Sequence, residues 1–184
     1  MAIFASRPAR RPPPIRIRVR ALPGPPHRGR LEAAGLVLPC ALGRSGLVRI
    51  KREGDGATPV GRFALLGGHR RADRALPVGG GPALVPIRPD DGWCDDVADG
   101  RYNRPVRLPF GPSHETLWRD DGLYDVVIVL DANVRRRVIG RGSAIFFHCA
   151  RADLGPTAGC VALRPADMRR LLARLTRDAV MIIA

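Results

Sequence analysis

Apolar and charged residues alternate strictly over Ile15-Arg16-Ile17-Arg18-Val19-Arg20, the period of a strand with one buried face. Gly35–Leu42, Gly46–Lys51 and Val60–Leu66 read as further strands, the first two joined into a hairpin by Gly43-Arg44-Ser45. Pro and Gly predict a turn region over Leu22–Arg30, a loop at Glu53-Gly54-Asp55-Gly56 and a turn at Thr58-Pro59. Residues 67–122 show no period, and only Ala83–Ile87 is strand-like there. A loop-rich stretch of that kind shapes a binding surface more often than a core. Tyr124–Asp131, Ser143–Cys149 and Ala158–Leu163 are apolar runs with the length of buried strands. Pro165 suits the first turn of a helix, and Met168, Leu171, Leu172 and Leu175 give that helix one apolar face. Ala179–Ile183 closes the chain as a strand. Eight or nine strands with one clear helix, and no internal repeat, make the class mostly β rather than alternating βαβ.

Length and composition narrow this picture. The chain's 184 residues suffice for one domain. Residues 1–14 are basic and Pro-rich and are expected to form a flexible leader, leaving 15–184 as the domain. With 45% hydrophobic and 26% charged residues the chain is globular rather than disordered. No apolar run approaches the roughly 18 residues of a membrane helix. The abundance of Gly and Pro excludes a coiled coil. Met1–Arg20 lacks an apolar h-region, so no secretory signal is visible.

The net charge is +14, and residues 1–30 hold eight arginines and no acid. Such a field attracts polyanions. Aromatic content is only 5%, which leaves few platforms for stacked bases and makes nucleic acid a poor candidate partner. A solvated Arg-rich surface fits the same numbers. Four cysteines without a CxxC pair are neither a disulfide scaffold nor a zinc knuckle.

The chemistry concentrates in Phe146–Leu163. His148 ends one predicted strand, a Gly/Pro loop follows, and Cys160 sits in Thr157-Ala158-Gly159-Cys160 at the next strand. Neighbouring strands would bring His148 and Cys160 together. An imidazole beside a thiol favours the reactive thiolate and can return a proton to a leaving amine. Gly159 lets backbone approach a substrate carbonyl, and the N–H groups of Gly159 and Cys160 are candidate oxyanion donors. The same spacing also suits a buried Cys and a hydrogen-bonded strand-end His with no chemistry. A metal site of His148, Cys149 and Cys160 is a third reading, weakened because residues 148 and 149 of a strand face opposite ways.

His148, the Gly/Pro loop and Thr157-Ala158-Gly159-Cys160-Val161 resemble the signature of the YkuD-type L,D-transpeptidase catalytic domain. Lys51–Phe63, with Gly56, Thr58-Pro59, Gly61 and Phe63, resembles the family's upstream Gly–Thr-Pro–Gly–Phe segment. The likeness runs from about residue 30 to 184. Ala158 stands where the family's common signature has His, and Ala162 where Arg or Asn is usual, which marks a divergent branch. The resemblance implies a β-sandwich or barrel with one or two helices. It also implies a cysteine acyltransferase that works without cofactor or metal on diaminopimelate-containing peptidoglycan stem peptides. Cys160 would be the nucleophile and His148 the general base and acid, with a backbone carbonyl as third triad element. Carbapenem-type inhibitors would acylate Cys160, and the working compartment would be the periplasm or cell envelope.

Around that pair, Arg151, Thr157 and Ala158 are candidate substrate contacts, as are Glu115 and Trp118 from Ser113–Arg119. His27 and His69 are expected to be solvated, and Cys40 to be core. Cys94 falls in the Asp-rich loop Asp90–Asp96. The rival to an enzyme is a non-catalytic cell-wall or polyanion-binding module that uses the Arg-rich surface.

Overall fold

The computed structural model describes residues 13–74 and 81–184; most of the leader predicted over 1–14 lies outside them. Fourteen strands and one helix are present among the described residues. Eight strands form a ring in the order β11 (Val126–Leu130), β12 (Phe146–Cys149), β13 (Val161–Leu163), β3 (Leu36–Ala41), β2 (Arg28–Ala33), β1 (Arg16–Ala21), β14 (Val180–Ile183) and β6 (Gly61–Arg70). The ring closes because β11 pairs back onto β6. Closure removes the exposed edges that an open sheet would carry. Strand β7 (Leu84–Pro86) extends the sheet from the far half of β6.

Alternation predicted β1, and it fills the ring. Ile17 and Val19 point inward with Leu31, Leu38, Phe147, Val161, Leu163 and Met181. Helix α1 (Pro165–Leu172) starts with Pro at its first turn and adds Met168, Leu171 and Leu172 to the same core. Each fully buried side chain of this size contributes about 1.5–3 kcal/mol relative to exposure. The mostly β class with one helix therefore holds, as a barrel.

Three local expectations are corrected. The hairpin lies one turn upstream of the predicted one. It joins β2 to β3 through Ala34-Gly35, both with positive φ (48° and 76°), in the two-residue register Ala33↔Leu36. Strand β4 (Leu47–Val48) instead pairs in parallel with β5 (Thr58–Pro59), so the predicted turn there is a short strand. The stretch 67–122 is not simply irregular. It contains the end of β6 and an antiparallel sheet of β10 (His114–Thr116), β8 (Asp91–Cys94) and β9 (Arg104–Arg107). These strands have three or four residues, too short to show a period.

The small sheet lies over the outer face of β11 and β12. Trp93, Leu117 and Tyr124 pack there with Val127, Val129, Phe146 and Cys160 in a second core. Trp93 meets Phe146 edge-on, with ring centroids 5.4 Å apart.

Candidate active site

Strand β12 alternates, so Phe147 and Cys149 enter the barrel core while Phe146 and His148 face the second layer. Strand β13 runs parallel beside it in the register Phe147↔Val161. That register sets Cys160, the residue before β13, level with Phe146. The Phe146 N–H donates to Cys160 Sγ at 3.3 Å, and the thiol donates to the Ala144 carbonyl at 3.2 Å.

The loop before the cysteine is braced from within. Thr157 Oγ1 donates to the Cys160 carbonyl at 2.7 Å and accepts the Gly159 N–H at 3.1 Å. Gly159 has φ +141°, and a Cβ there would stand 2.8 Å from the Ala57 carbonyl oxygen. The glycine is thus required by packing on Ala57, where the sequence suggested approach of a substrate carbonyl. Ala57 belongs to the upstream Gly–Thr-Pro segment, which Asp55 organises. Its carboxylate accepts from Lys51 Nζ, from the Arg52 N–H at 2.8 Å and from the Ala57 N–H at 2.9 Å. Burial opposes ionisation of Asp55, but these donors outweigh it and hold the carboxyl below its ordinary range. Buried Thr58 accepts the Gly43 N–H through Oγ1 at 2.8 Å. The two sequence motifs are therefore one structure, the upstream segment serving as the seat of the cysteine loop.

Cys160 and His148 line a cavity of about 380 Å³ together with Glu115, Tyr124, Arg119 and Arg151. His148 Nδ1 lies 2.8 Å from the Cys149 carbonyl. That contact assigns the hydrogen to Nδ1 and leaves Nε2 with its lone pair. The Tyr124 ring stands edge-on to the imidazole at 5.2 Å. Burial pushes the Cys160 thiol up to about 12, against the Phe146 N–H, with Glu115 reinforcing the rise and Lys51 opposing it. Burial pushes His148 down to about 4, against the carbonyls of Cys149 and Leu123. The resting pair is a neutral thiol and a neutral imidazole, and the thiol's partner is Ala144 rather than His148. The sequence suggested a standing thiolate. Enclosure by the second layer is what reverses that, because it penalises both charged forms.

The family model described as the L,D-transpeptidase catalytic domain (YkuD) matches residues 29–183. The chain belongs to the YkuD family of L,D-transpeptidase catalytic domains. Among solved structures, Mycobacterium tuberculosis L,D-transpeptidase 1 is similar at 12% identity and a TM-score of 0.38, over 92% of this chain and 62% of that one. No curated protein matches.

Within this YkuD domain the other expected site residues divide. Arg151, Thr157, Ala158 and Glu115 line the cavity. Trp118 does not; it packs against the second core with the Arg71 guanidinium 3.8 Å over its ring. The Gly159 N–H is turned to Thr157, which leaves the Cys160 N–H as the oxyanion candidate of the two. The metal reading separates across the sheet, since Cys149 is in the barrel core and His148 in the cavity. Among the described residues no group of three or more His, Cys, Asp or Glu is placed to hold a metal ion. Cys40 is barrel core, its thiol pushed up to about 12 by burial. Cys94 belongs to β8 rather than to a loop. His69, expected to be solvated, lies on β6 with a buried, unpartnered Nδ1, and burial lowers its pKa.

Two polar networks that the sequence did not reveal hold the carbonyl that receives the thiol. Asn103 is fully buried with φ +54°. Its Oδ1 accepts from Trp93 Nε1 at 2.9 Å and from the Ala144 N–H at 3.2 Å, and its Nδ2 donates to the Asn133 carbonyl at 2.7 Å. Ala144 itself has φ +48°, a conformation that needs such bracing. Beside it, Glu53 Oε2 accepts from Ser143 Oγ at 2.7 Å and from the Tyr102 hydroxyl at 2.5 Å. The one available signal was the tolerance of Asn for positive φ, which identifies no partner.

Proposed function

We propose that this domain is a cysteine-dependent L,D-transpeptidase that acts on peptidoglycan stem peptides through an acyl-thioester on Cys160. The observation that carries this reading is the convergence of Cys160 Sγ and the His148 imidazole on one cavity from adjacent parallel strands. The thiol leaves the Ala144 carbonyl and passes its proton to His148 Nε2 as Sγ bonds to the carbonyl carbon of the diaminopimelate L-centre. The oxyanion gathers at the Cys160 N–H. His148 then gives the proton to the departing amine of the terminal D-amino acid, the C–N bond breaks, and the thioester remains. An acceptor amine attacks the thioester and loses a proton by way of His148, and the thiolate that leaves is reprotonated. Water in place of the amine gives a carboxypeptidase reaction. Because free thiol and imidazole are both neutral, proton transfer belongs to the substrate-bound state. The Cys149 carbonyl holds the imidazole in the tautomer that the transfer needs.

The stem peptide carries carboxylates and an ammonium. Of the cationic groups in the cavity lining, Lys51 is paired with Asp55 and Arg119 with Asp121, while Arg44 and Arg151 make no ion pair among the described residues; Glu115, hydrogen-bonded by the Tyr124 hydroxyl at 3.2 Å, is one of the lining acids. The compartment that holds this substrate is the cell envelope. The test is incubation with a purified stem tetrapeptide ending in a D-amino acid, followed by mass spectrometry. The expected result is release of the terminal residue and an acyl mass on the peptide containing Cys160, with neither in Cys160→Ala. A carbapenem is expected to add its mass at the same residue. Folded protein that neither releases the residue nor acquires an adduct overturns the proposal.

A further inference from the structure

Outside the cavity, one face of the barrel has an unusual arrangement of charge. In β1, Ile17 and Val19 point into the core, so Arg16, Arg18 and Arg20 point out. The register sets Arg18 beside Glu32 and Arg20 beside Arg30 on β2. On the other side of β1, Ile182 of β14 is level with both Arg18 and Arg62 of β6. Arg28 belongs to the same face of β2 as Arg30. Six arginines and one acid therefore lie on the outer side of four adjacent strands, an arc of about 14 Å around the closed ring at the usual strand spacing.

Of the 21 described arginines elsewhere, seven pair with an acid and fourteen do not, so what sets this face apart is how closely its arginines are grouped. Arg71 pairs with Asp73, Arg74 with Asp125, Arg101 with Asp99, and Arg119 with Asp121. On the barrel face only Arg30 has a partner, Glu32 at 2.8 Å. Among the described residues, Arg16, Arg18, Arg20, Arg28 and Arg62 make no ion pair. Arg20 directly opposite Arg30 is a repulsive cross-strand pair, which folding alone would not favour.

We infer that this face docks on an anionic phospholipid surface. Guanidinium groups fork onto phosphate, and a two-dimensional array of arginines matches a two-dimensional array of headgroups. The aliphatic side chains set among the arginines are part of the match. Val37 is 65% exposed beside Glu32, and Ile182 is half-buried between Arg18 and Arg62. No aromatic side chain occurs on these strand positions to stack a base, and no Asn or Gln to read a base edge. Lipid thus fits the face better than nucleic acid does. The inference is independent of the acyl-transfer reading.

The experiment is vesicle co-sedimentation of the full chain at low salt, with 30 mol% phosphatidylglycerol in phosphatidylcholine against phosphatidylcholine alone. R16Q/R18Q/R20Q is compared with R136Q/R141Q/R177Q, which removes equal charge from exposed loop positions. The expected result is binding only to anionic vesicles, weakened roughly 100-fold in the face variant and by no more than about threefold in the loop variant. A second variant, R28Q/R62Q, takes charge from the flanking strands and is expected to weaken binding roughly tenfold. Equal losses in the face and loop variants would mean that net charge acts without a face, and would overturn the inference. So would wild-type protein that ignores anionic vesicles, or that binds a short duplex DNA more tightly than the vesicles through the same arginines.

Discussion

Phe146 and Phe147 are neighbours in the chain and belong to different kinds of structure. Phe147 enters a barrel filled by aliphatic side chains from nearly every strand and from the helix. Phe146 faces a second, smaller apolar cluster, and beside it the cavity wall is braced by hydrogen bonds: Asn103 to Ala144, Glu53 to Ser143, and Thr157 to Cys160. Inside the barrel, burial of apolar area dominates and any well-packed set of side chains serves. At the cavity wall, each polar group has a particular partner, and the backbone adopts positive φ at Asn103 and Ala144 to reach it. The first arrangement supplies stability, and the second supplies the position of one sulfur atom.

Substitutions on the two sides should therefore have effects of different kinds. The largest effect is expected at His148. His148→Gln should slow acylation of Cys160 by roughly 10²–10⁴-fold, the span of general acid–base catalysis, as followed by mass spectrometry over time. Leu31→Ala empties fully buried barrel volume and should cost about 2–5 kcal/mol in denaturant unfolding. It should leave the pH midpoint of Cys160 alkylation where it was; a moved midpoint would mean that the two regions are not separable.

Acid should affect the cavity side by a slightly smaller amount. His148 titrates near 4 when folded and near 6.5 when unfolded, so the unfolded chain takes the proton first as pH falls. Its contribution is complete above about pH 6.5 and is lost towards pH 4, about 3 kcal/mol in all. The difference in acid stability between wild type and His148→Gln should show that slope. Asn103→Ala should have the smallest stability cost, about 1–3 kcal/mol for buried groups left unpaired. It should also shift the iodoacetamide midpoint of Cys160 downward, because the Ala144 carbonyl that stabilises the protonated thiol is released. A destabilised Asn103→Ala with an unchanged midpoint would show that the network supports the fold and not the thiol.

The same division governs what the sequence revealed. Alternation in Ile15–Arg20 and the apolar runs at 124–131 and 143–149 located barrel strands, because a half-buried or buried strand writes its burial directly into residue type. That His148 and Cys160 would lie near one another was legible because their motif is local, and with the parallel register of β12 and β13 both line one cavity. The hairpin at Ala34-Gly35 was missed because Ala is a weak marker for a turn that needs positive φ at both residues. The small sheet was missed because its strands hold Asp, Arg and Pro and have three or four residues. Trp118 was placed at the cavity on residue type alone, and Arg71, 47 positions earlier, covers it instead. Asn103 could not be found at all, since its partners come from residues 93, 133 and 144.

The sheet also partitions the sulfur chemistry. All four cysteines are free, and Cys40 and Cys149 are sealed in the barrel core, across the strands from Cys160. Cys94 follows Trp93 on β8 and so turns away from the layer that Trp93 shares with Cys160. A peroxide that converts Cys160 to its sulfenic acid meets no resolving thiol within the chain, and further oxidation to the sulfinic acid is then irreversible. What guards Cys160 against that outcome is its own enclosure, since a buried, protonated thiol reacts slowly with peroxide.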